Sequence, residues 1–543
     1  MTGGLDLRRS PTLLGADRSR RLNNFALTSP GELVVRPGYR QFSTTSLGNS
    51  RIQGGVRAYL ASTTFTRIAW NGGVYRVGDG GGSSAMDSTA LYSTISATNA
   101  VFFPYDRELV AVMDGANRPR KSTDGVTWTL MGIEAGSSAS PVSSVSSGSL
   151  SASEFEVAAT FKDRGTGHES NGSPVSTLTL GATGAIHVTV SNSTDAQTDA
   201  IVLYARNKTA AETVLRKVSS AAQQGGAGSN STYRIDSSAW SANAEIPTNH
   251  NVPLAFTFAV PWKNRWWAAH PTVGNRIHFT ELFLNQAWPT LFYINIPFER
   301  GDDIRAIVPQ GDTLLVFGRT KVFLIIGQTS LDFEVRPSAG AQAGALGFRA
   351  VAVIENGVLH AASQGVFIFD GATDRYLGFD IESGWRDLIT NTADADLERV
   401  AIIYDFRTKE VRVSVPRLYP TATFGEWILD LNRTREQESP AWTTSDRVIG
   451  GYILHDGDEP TAGLTGRLLS WHASTQGTVW EESTGTTANS SNLTAEYEGP
   501  TFAMGIHRAR LIDVRGEYEP HAGTFSIEPQ VDNVSQGSQG VPI

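Results

Sequence analysis

The side chains that could carry out catalysis are scattered along the sequence and form no recognisable set. Ten histidines stand singly, and His270 and His278, eight residues apart, lack the H-x-H or H-E-x-x-H spacing of a metal cage. Neither a G-x-x-x-x-G-K-[ST] phosphate loop nor a G-x-S-x-G nucleophile elbow occurs. Cysteine is absent, which excludes thiolate nucleophiles, disulfides and cysteine-ligated zinc. We therefore predict no catalytic residue, no cofactor and no metal, and a protein that is not an enzyme.

Two groups of carboxylates and one group of tryptophans are the remaining candidates for ligand binding. Carboxylate oxygens suit Ca²⁺, but neither acidic group has the glycine and terminal glutamate of an EF-hand loop; the groups are Asp394, Asp396 and Glu398, and Asp456, Asp458 and Glu459. A sugar could stack on Trp262, Trp266 and Trp267, but tryptophans spaced this closely between strands more often face a core. We expect these three indole rings to be buried.

A turn motif points to a structural setting. The run Ser122-Thr123-Asp124-Gly125-Val126-Thr127-Trp128 resembles the Asp-box of sialidase-like propellers, although it is one residue shorter. In those proteins the box is a turn remote from the active site. Ser122, Asp124, Gly125 and Trp128 are therefore predicted to be structural, and the motif favours a propeller without favouring hydrolysis.

Short strand-like runs separated by turn residues recur along the chain. Apolar residues alternate with small or polar ones, or form short continuous runs, in ELVAVM (108–113), KVFLIIG (321–327), GVLHAA (357–362), GVFIFDG (365–371) and EVRVSVP (410–416). Gly, Asp and Asn between them supply the turns that hairpins need. No long amphipathic helix is indicated, so the predicted fold class is all-β.

So many strands need a closed arrangement, because an open sheet would expose its pairing edges. A radial array of four-stranded blades meets this need, and related strand-turn-strand stretches at 71–80, 356–377 and 465–482 favour a β-propeller with irregular blades. We divide the chain into an N-terminal segment with the first blades (1–136), a Ser-rich linker (137–152), an inserted module (153–246), the remaining blades (247–495) and a C-terminal β segment (496–543).

The inserted module reads as a small β-sandwich. Its first strand places Phe155, Val157, Ala159 and Phe161 on one face, and further short strands follow as far as STYRID (231–236). The strand, ES-x-x-SP-x-S turn and I-x-L-Y-A-R order resembles fibronectin type III-like and Ig-like modules.

Charge and hydropathy limit the partners. The net charge is −9, so the chain repels polyanions on average, and we expect at most transient, non-specific contact with DNA. No stretch is long and apolar enough to span a bilayer, and the N-terminus lacks the apolar region of a secretory signal, so no membrane insertion is expected. One arginine cluster is a candidate interface with an acidic partner ring; it contains Arg8, Arg9, Arg18, Arg20 and Arg21.

An ordered series of segments resembles the β-propeller tail proteins of short-tailed bacteriophages. The series runs from the N-terminal segment GGLDLRRSPTLLGADRSRRLNNFALTSPGELVVRPGYRQF (3–42) through ELVAVMDGANRPRKSTDGVTWTLMG (108–132), PWKNRWWAAHPTVGNRIHFTELFLNQAWP (261–289) and INIPFERGDDIRAIVPQGDTLLVFGRTKVFLIIG (294–327) to the stretch at 332–371. It is similar to podovirus tail nozzle (tail tubular) and packaged-DNA stabilisation proteins. The likeness covers about 400 residues outside the insertion.

This resemblance implies a structural virion protein, made in the host cytoplasm and assembled into the tail. Copies, six by the resemblance, would form a ring-shaped channel that retains packaged DNA and conducts it during ejection. Portal and adaptor rings and tail fibres or spikes would be its partners. A carbohydrate-binding or sialidase-like propeller, and a tail fibre or receptor-attachment protein, are the alternatives.

Overall fold

The computed structural model describes most of the chain as β-strands joined by short turns. The described residues are 4–9, 18–27, 33–42, 46–78, 86–224, 226–240, 242–436, 440–455, 467–473, 477–483, 487–488, 491–492, 495–498, 524–527, 530–531, 534–535 and 539–542. Helix within these ranges is limited to Phe379–Ile381, Glu382–Asn391, Asp394–Leu397 and Leu431–Glu436. No helix in this part of the chain is long and apolar enough to cross a membrane.

Seven sheets in the described residues, antiparallel apart from single parallel pairings in blades 6 and 7, form the blades of a β-propeller. Blade 1 contains Ile52–Tyr59, Thr64–Trp70, Gly73–Val77 and Tyr92–Ser93. In blade 2, residues 101–105 bridge to Val110–Val112, which is followed by Arg120–Ser122 and Thr129–Leu130. Blade 3 contains Ala259–Trp262, Arg265–Ala269, Arg276–Phe279 and Tyr293–Asn295. Blade 4 contains Ala306–Gln310, Thr313–Phe317, Val322–Ile326 and Glu334–Pro337. Blade 5 contains Val351–Ile354, Gly357–Ala362, Gly365–Phe369 and Asp374–Tyr376.

Blades 6 and 7 incorporate strands from both ends of the chain. Blade 6 is built from Ala401–Asp405, Glu410–Leu418, Thr423–Asp430 and Ala441–Ser445, extended by Arg21–Asn23 and Glu496–Glu498. Blade 7 is built from Ile449–His455, Arg467–His472 and Val479–Glu482, then the N-terminal strand Tyr39–Gln41, with Thr487–Ala488 and Ser491–Asn492 beyond it. Because the inner strand of blade 7 contacts that of blade 1, the blades close into a ring.

The remaining short strands lie near the chain ends. Gly4–Leu5 pairs in parallel with Arg18–Ser19, and Phe25–Leu27 pairs with Leu33–Val35. In the C-terminal segment predicted as β, Thr524–Ile527 pairs with Gln539–Pro542, and Gln530–Val531 with Val534–Ser535. The rest of 499–543 lies outside the described residues.

Tight turns explain why the blade sequences form hairpins. In blade 5, two-residue connections join Ile354 to Gly357 and Ala362 to Gly365. Gly357 has φ of 154°, and a Cβ there would lie 2.3 Å from the carbonyl oxygen of Phe369. Only glycine fits that position. The glycine that begins GVLHAA therefore marks the end of the turn, and the apolar residues after it form the strand.

Most of the propeller core lies between neighbouring blades. Blades 5 and 6, for example, share a cluster that includes Val366, Trp427 and Trp442, and the helix Glu382–Asn391 adds Trp385 to it. Comparable apolar clusters join blades 1 and 2, 2 and 3, 3 and 4, 4 and 5, and 7 and 1. Burying these faces supplies the main stabilisation of the ring.

A β-sandwich is inserted between blades 2 and 3. One sheet has the order Val142–Leu150, Gly184–Ser191, Asn230–Ile235, and the other Ser176–Thr179, Glu154–Lys162, Ala200–Asn207, Arg216–Ala222. With Val142–Leu150 as strand B and Gly184–Ser191 as strand E, the first sheet has the B–E pairing of an immunoglobulin-type sandwich. The second sheet has its C–F–G pairing, with Glu154–Lys162 as C, Ala200–Asn207 as F and Arg216–Ala222 as G. In the described residues, no strand A precedes strand B, and the last strand takes the other edge beside strand E.

The predicted linker at 137–152 is therefore wrong as to structure, because Val142–Leu150 is a strand of this sandwich. It is an edge strand whose residues are mostly exposed, so serine is tolerated. A register shift between Val145 and Leu150 also breaks the alternation that sequence patterns rely on. Leu150 is fully buried in the sandwich core. The module begins before residue 153.

Candidate functional site

The axis of the propeller is the main candidate site. In each blade the inner strand, which comes first in the chain apart from the N-terminal strands in blades 6 and 7, crosses the ring from one face to the other. We call the face at which the inner strands begin the entry face. A cavity of about 190 Å³ lies on the axis, lined by residues of blades 1, 2, 5, 6 and 7 that include Gly55, Phe102, Phe348, Arg349, Tyr452 and Trp471. Phe348 stacks on Phe258 at 5.5 Å and meets Phe102 edge-on at 5.6 Å between ring centroids. Aromatic rings therefore fill the axis beside the cavity.

Arg349 lines this cavity on the entry face, and Arg51 and Arg399 are its charged neighbours there. Each directly precedes or lies close to the start of an inner strand: Arg51 in blade 1, Arg349 in blade 5 and Arg399 in blade 6. Burial, together with the charges of Arg51 and Arg399, lowers the pKa of Arg349 to about 10. Burial and the charge of Arg399 likewise lower the pKa of Arg51. The three guanidinium groups are thus close enough to repel one another.

The contacts of Arg349 hold it at the cavity. Its Nη2 donates to the carbonyl oxygen of Val101 at 3.1 Å and also to that of Gln53. Its guanidinium carbon lies 5.3 Å from the ring centroid of Phe348 and 6.0 Å from that of Trp471. A side chain at Gly54 would collide with the carbonyl of Val101, so glycine is required where the two inner strands approach.

Blades 6 and 7 meet through buried charges, unlike the apolar interfaces between the other blades. Arg412 is 2% exposed and lies 3.9 Å from a Glu426 oxygen and 3.8 Å from a Glu482 oxygen. Arg447 pairs with Glu482 at 2.5 Å, and its guanidinium lies 3.3 Å from the ring centroid of Tyr39 in the N-terminal strand. Because each charge faces an opposite one, the interface avoids the large cost of an isolated buried ion.

The pKa shifts in this network follow from burial and pairing. Burial alone would lower the pKa of Arg412, but Glu426, Glu410 and Glu482 raise it above its ordinary value. Burial raises the pKa of Glu426. Burial would also raise that of Glu482, but Arg447 and Arg412 bring its pKa below the usual range. The pKa values of Glu426 and Glu482 therefore shift in opposite directions, because Glu482 has two arginine partners.

A tyrosine beside the cavity belongs to the same network. The Tyr452 hydroxyl donates to Glu426 Oε1 at 2.5 Å. Burial and the neighbouring Glu426 raise the pKa of Tyr452 well above its ordinary value. The hydroxyl and the carboxylate therefore satisfy each other's hydrogen bonding where blades 6 and 7 meet.

The Asp-box-like residues form a compact turn between the outer two strands of blade 2. The amides of Val126 and Thr127 each donate to Asp124 Oδ1 at 2.8 Å, and the Ser122 hydroxyl donates to the same oxygen at 2.8 Å. Burial works against ionisation, but these hydrogen bonds outweigh it and lower the pKa of Asp124. Gly125 has φ of 71°, and Trp128 is buried.

The N-terminal arginines contact their own chain. Arg8 and Arg18 pair with Asp380 at 2.9 and 2.6 Å, and Arg8 lies over the Phe379 ring at 3.2 Å. Arg9 lies 3.5 Å from Asp6, Arg20 donates to the carbonyl of Arg9, and Arg21 lies in the strand that pairs with Glu496–Glu498. These contacts dock the N-terminal segment beside blades 5 and 6. The predicted interface with a partner ring stays a prediction.

The other candidate ligand groups have structural partners. Asp394 pairs with Arg319 at 2.9 Å, Asp396 with Arg399 at 3.2 Å, and Glu398 with Arg305. Within the described ranges no group of three metal-ligating side chains converges, and Asp456, Asp458 and Glu459 lie outside those ranges. His270 and His278 are neighbours, with ring centroids 5.1 Å apart. The predicted burial of the tryptophans is confirmed, since Trp262, Trp266 and Trp267 are 5%, 1% and 0% exposed.

Sequence reasoning missed both the arginine group on the axis and the buried network. Arg51, Arg349 and Arg399 are about 50 to 350 residues apart in the chain, and no local spacing connects them. One signal was available, because each stands just before a strand-like run. In a propeller, the residues that precede the inner strands all meet on one face around the axis.

Comparison with known proteins finds only distant structural likenesses. No family model matches the chain, and neither does any curated protein. Solved structures similar to it include the Neurospora crassa Pan2 WD40 domain, 11% identical with a TM-score of 0.27 over 83% of this chain and 99% of that one. PorZ of the type-IX secretion system of Porphyromonas gingivalis is 11% identical, with a TM-score of 0.27 over 88% and 75%.

A third similar structure is the extracellular domain of a putative hybrid two-component system from B. thetaiotaomicron. It is 8% identical with a TM-score of 0.27, and the match covers 72% of this chain but only 39% of that one. At TM-scores this low the likenesses carry no argument about this chain. The chain is a β-propeller with an inserted β-sandwich, as its sheets define it.

Proposed function

We propose that the chain is a structural subunit of a bacteriophage tail, in which several copies form a ring-shaped channel that retains packaged DNA and conducts it during ejection. The observation that carries this proposal is the ordered resemblance to podovirus tail nozzle proteins. Its segments at 261–289, 294–327 and 332–371 fall mainly in the consecutive blades 3, 4 and 5, although the second and third also include residues from the last strand of the preceding blade.

The filled axis determines what kind of channel such a protein can form. The space on the axis is about 190 Å³, beside the stacked rings of Phe258 and Phe348. A DNA duplex cannot pass through the propeller itself, so a channel must lie between copies packed around a common axis. Closed rings of this kind use heterologous interfaces, in which two different surfaces of the subunit meet.

Exposed apolar side chains on the face opposite the entry face favour such an interface. The connections between the last two strands of blades 3 and 4 present Phe283, Leu291 and Leu331, which are 69%, 82% and 97% exposed. Phe283 also has φ of 59°, a strained conformation for an aromatic residue. We expect a second copy of this chain to cover this surface in the ring.

Light scattering coupled to size-exclusion chromatography, with negative-stain imaging, tests the assembly. We expect closed rings with an open centre, and we expect Phe283→Asp with Leu291→Asp to yield monomers. Val126→Asp, at a 41% exposed position in the corresponding connection of blade 2, is the matched control and should keep the ring. Monomers of the unsubstituted chain at every concentration, together with glycosidase activity, would overturn the proposal in favour of a glycan-directed propeller.

The biological role needs a second experiment. Deleting this protein from a phage that carries it should give particles that package DNA and then lose it. Labelling of the protein in intact virions should place it at the distal tail tube. Particles that retain their DNA without it but no longer adsorb to cells would instead indicate a receptor-attachment protein.

A further inference from the structure

The arginine group on the entry face has more positive charge than its surroundings neutralise. Arg399 pairs with Asp396 at 3.2 Å. Across the described part of the chain, no carboxylate lies within ion-pair distance of Arg51 or Arg349. These two side chains donate to backbone carbonyls instead: Arg51 to Thr98, and Arg349 to Gln53 and Val101. Carbonyl oxygens do not neutralise a guanidinium charge, and Asp396, which pairs with Arg399, is the carboxylate that also attracts Arg51. The three arginines therefore carry more positive charge than this one carboxylate balances.

Pairing elsewhere on the same face makes this group unusual. Arg305 contacts Glu398 and Asp303, and Arg319 contacts Asp394. Arg305 and Arg319 therefore have acidic partners, as Arg399 does, whereas Arg51 and Arg349 have none within ion-pair distance in the described residues. Like charges brought together in a partly buried position cost free energy unless an anion compensates them.

The cavity beside Arg349 has the size and walls of a small ligand site. It measures about 190 Å³, and aromatic rings form part of its wall, among them Phe348 and Trp471. Arg349 has a planar guanidinium whose N–H groups match two oxygens of a carboxylate or phosphate. An apolar pocket with a few converging polar groups is the usual form of a small-molecule site.

We propose that the axial cavity binds a small molecule bearing one oxyanion group, a carboxylate or a phosphate, held by Arg349 with Arg51 and Arg399, while its apolar part packs against Phe348 and Trp471. This ligand site goes beyond the structural role proposed above and does not depend on ring formation. A ring that binds no anion would contradict only the ligand site. A monomer that binds an anion would contradict only the ring.

Binding to the full chain can be measured by isothermal titration calorimetry with four probes at constant ionic strength. Sodium benzoate, acetate and inorganic phosphate each carry an oxyanion, whereas chloride does not. We expect saturable binding of benzoate with one site per chain, weaker binding of acetate because it lacks a ring, and no saturable binding of chloride. The comparison of benzoate with phosphate shows which oxyanion the site prefers. Equal behaviour of chloride and benzoate, or no binding of any oxyanion, would overturn the proposal.

Matched variants locate the site. Arg51→Gln removes one of the unneutralised charges and should weaken benzoate binding at least about tenfold, since charge-assisted hydrogen bonds are the strong ones. Arg319→Gln, on the same face but paired with Asp394, should bind as the unsubstituted chain does. Arg349→Lys keeps the charge and should still weaken binding, because lysine loses the two-pronged geometry. Equal affinities in all three variants would show that the anion binds elsewhere.

Discussion

Single residues in this propeller act chiefly by fixing turns. Aspartates accept hydrogen bonds from the amides two and three residues ahead at Asp114, Asp124 and Asp370, in the sequences DGAN, DGVT and DGAT. The same short-range geometry recurs in different blades because a carboxylate oxygen can satisfy two turn amides at once. These turns are readable in the sequence, since all the partners lie within four residues.

Gly125 provides a test at the residue scale. Its φ is 71°, and a Cβ would lie 2.7 Å from the Phe65 ring. We expect Gly125→Ala to cost about 1–3 kcal/mol of stability, because a side chain is strained at this φ and also meets the ring. Thermal unfolding followed by circular dichroism measures the loss. Gly181→Ala, where no atom lies within 4 Å of the added Cβ, is the control and should melt like the unsubstituted chain. Equal melting of the two variants would contradict the strain argument.

At the scale of elements, blades 6 and 7 are joined by charges where other neighbouring blades are joined by apolar side chains. Such a network is costly to assemble and more costly to leave incomplete. Its members come from Glu410–Leu418, Thr423–Asp430, Val479–Glu482 and the N-terminal segment. The network therefore specifies which elements meet at the closure of the ring.

Removing the central arginine should destabilise this interface strongly. Arg412→Met leaves Glu426 and Glu482 buried without their shared cation, and a loss of about 3–5 kcal/mol is expected. The control is Arg386→Met, whose side chain is 75% exposed and pairs with Glu382 one helical turn away. That exposed pair contributes only about 0.3–0.5 kcal/mol. Chemical denaturation of the two variants side by side measures the difference, and a small effect of Arg412→Met would show that the network is not strongly coupled.

The junction between the sandwich and blade 2 predicts a dependence on pH. His168 is 6% exposed and stacks on His250 at 5.6 Å. Burial, then the charges of His250 and Lys121, lower the pKa of His168 to about 3 from 6.5. The unfolded chain takes up this proton near pH 6.5 but the folded chain does not until about pH 3. Stability is therefore complete above pH 6.5 and falls as the pH drops from 6.5 to 3.

The slope gives the measurement. If the unfolded chain binds one proton more than the folded chain, the free energy of unfolding falls by about 1.4 kcal/mol per pH unit between pH 6.5 and pH 3. His168→Gln should flatten the fall in melting temperature between pH 7 and pH 4, whereas His187→Gln, within the sandwich sheet, should leave it unchanged. An unaltered slope in His168→Gln would assign the acid sensitivity to other groups.

At the scale of the whole molecule, the N-terminal segment closes the ring. Tyr39–Gln41 is paired to Val479–Glu482 of blade 7, and Arg36 donates to Glu410 of blade 6 at 2.8 Å. Closing a propeller with a strand from the other end of the chain ties the first and last blades together. The contacts join residues about 440 positions apart, so the closure depends on non-local pairing of the kind that slows folding.

Deleting residues 1–42 should open blade 7 without unfolding the inserted sandwich. We expect hydrogen–deuterium exchange to increase in Ile449–His455 and Arg467–His472, because their sheet loses its outer strand and part of the buried network. Exchange in Glu154–Lys162 and Ala200–Asn207, the central strands of one sandwich sheet, serves as the internal control and should stay the same. Unchanged protection in blade 7 would show that the strand Tyr39–Gln41 is not needed to stabilise that blade.

The sequence alone determined the local features of this protein: the all-β class, the blade strands such as Gly357–Ala362, the Asp124 turn and the presence of a sandwich. Each of these depends on residues close together in the chain, through alternation, turn residues or a glycine conformation. It misassigned Val142–Leu150 as a linker because edge pairing and a register shift are not encoded in local alternation.

Only the tertiary structure decided where distant residues meet. It closed the ring with Tyr39–Gln41, buried Arg412 between blades 6 and 7, and brought Arg51, Arg349 and Arg399 together at the axis. The physical reason is that charge pairing and cavity shape depend on distances in space. A propeller sets those distances by the order of its blades, which no spacing along the chain reveals.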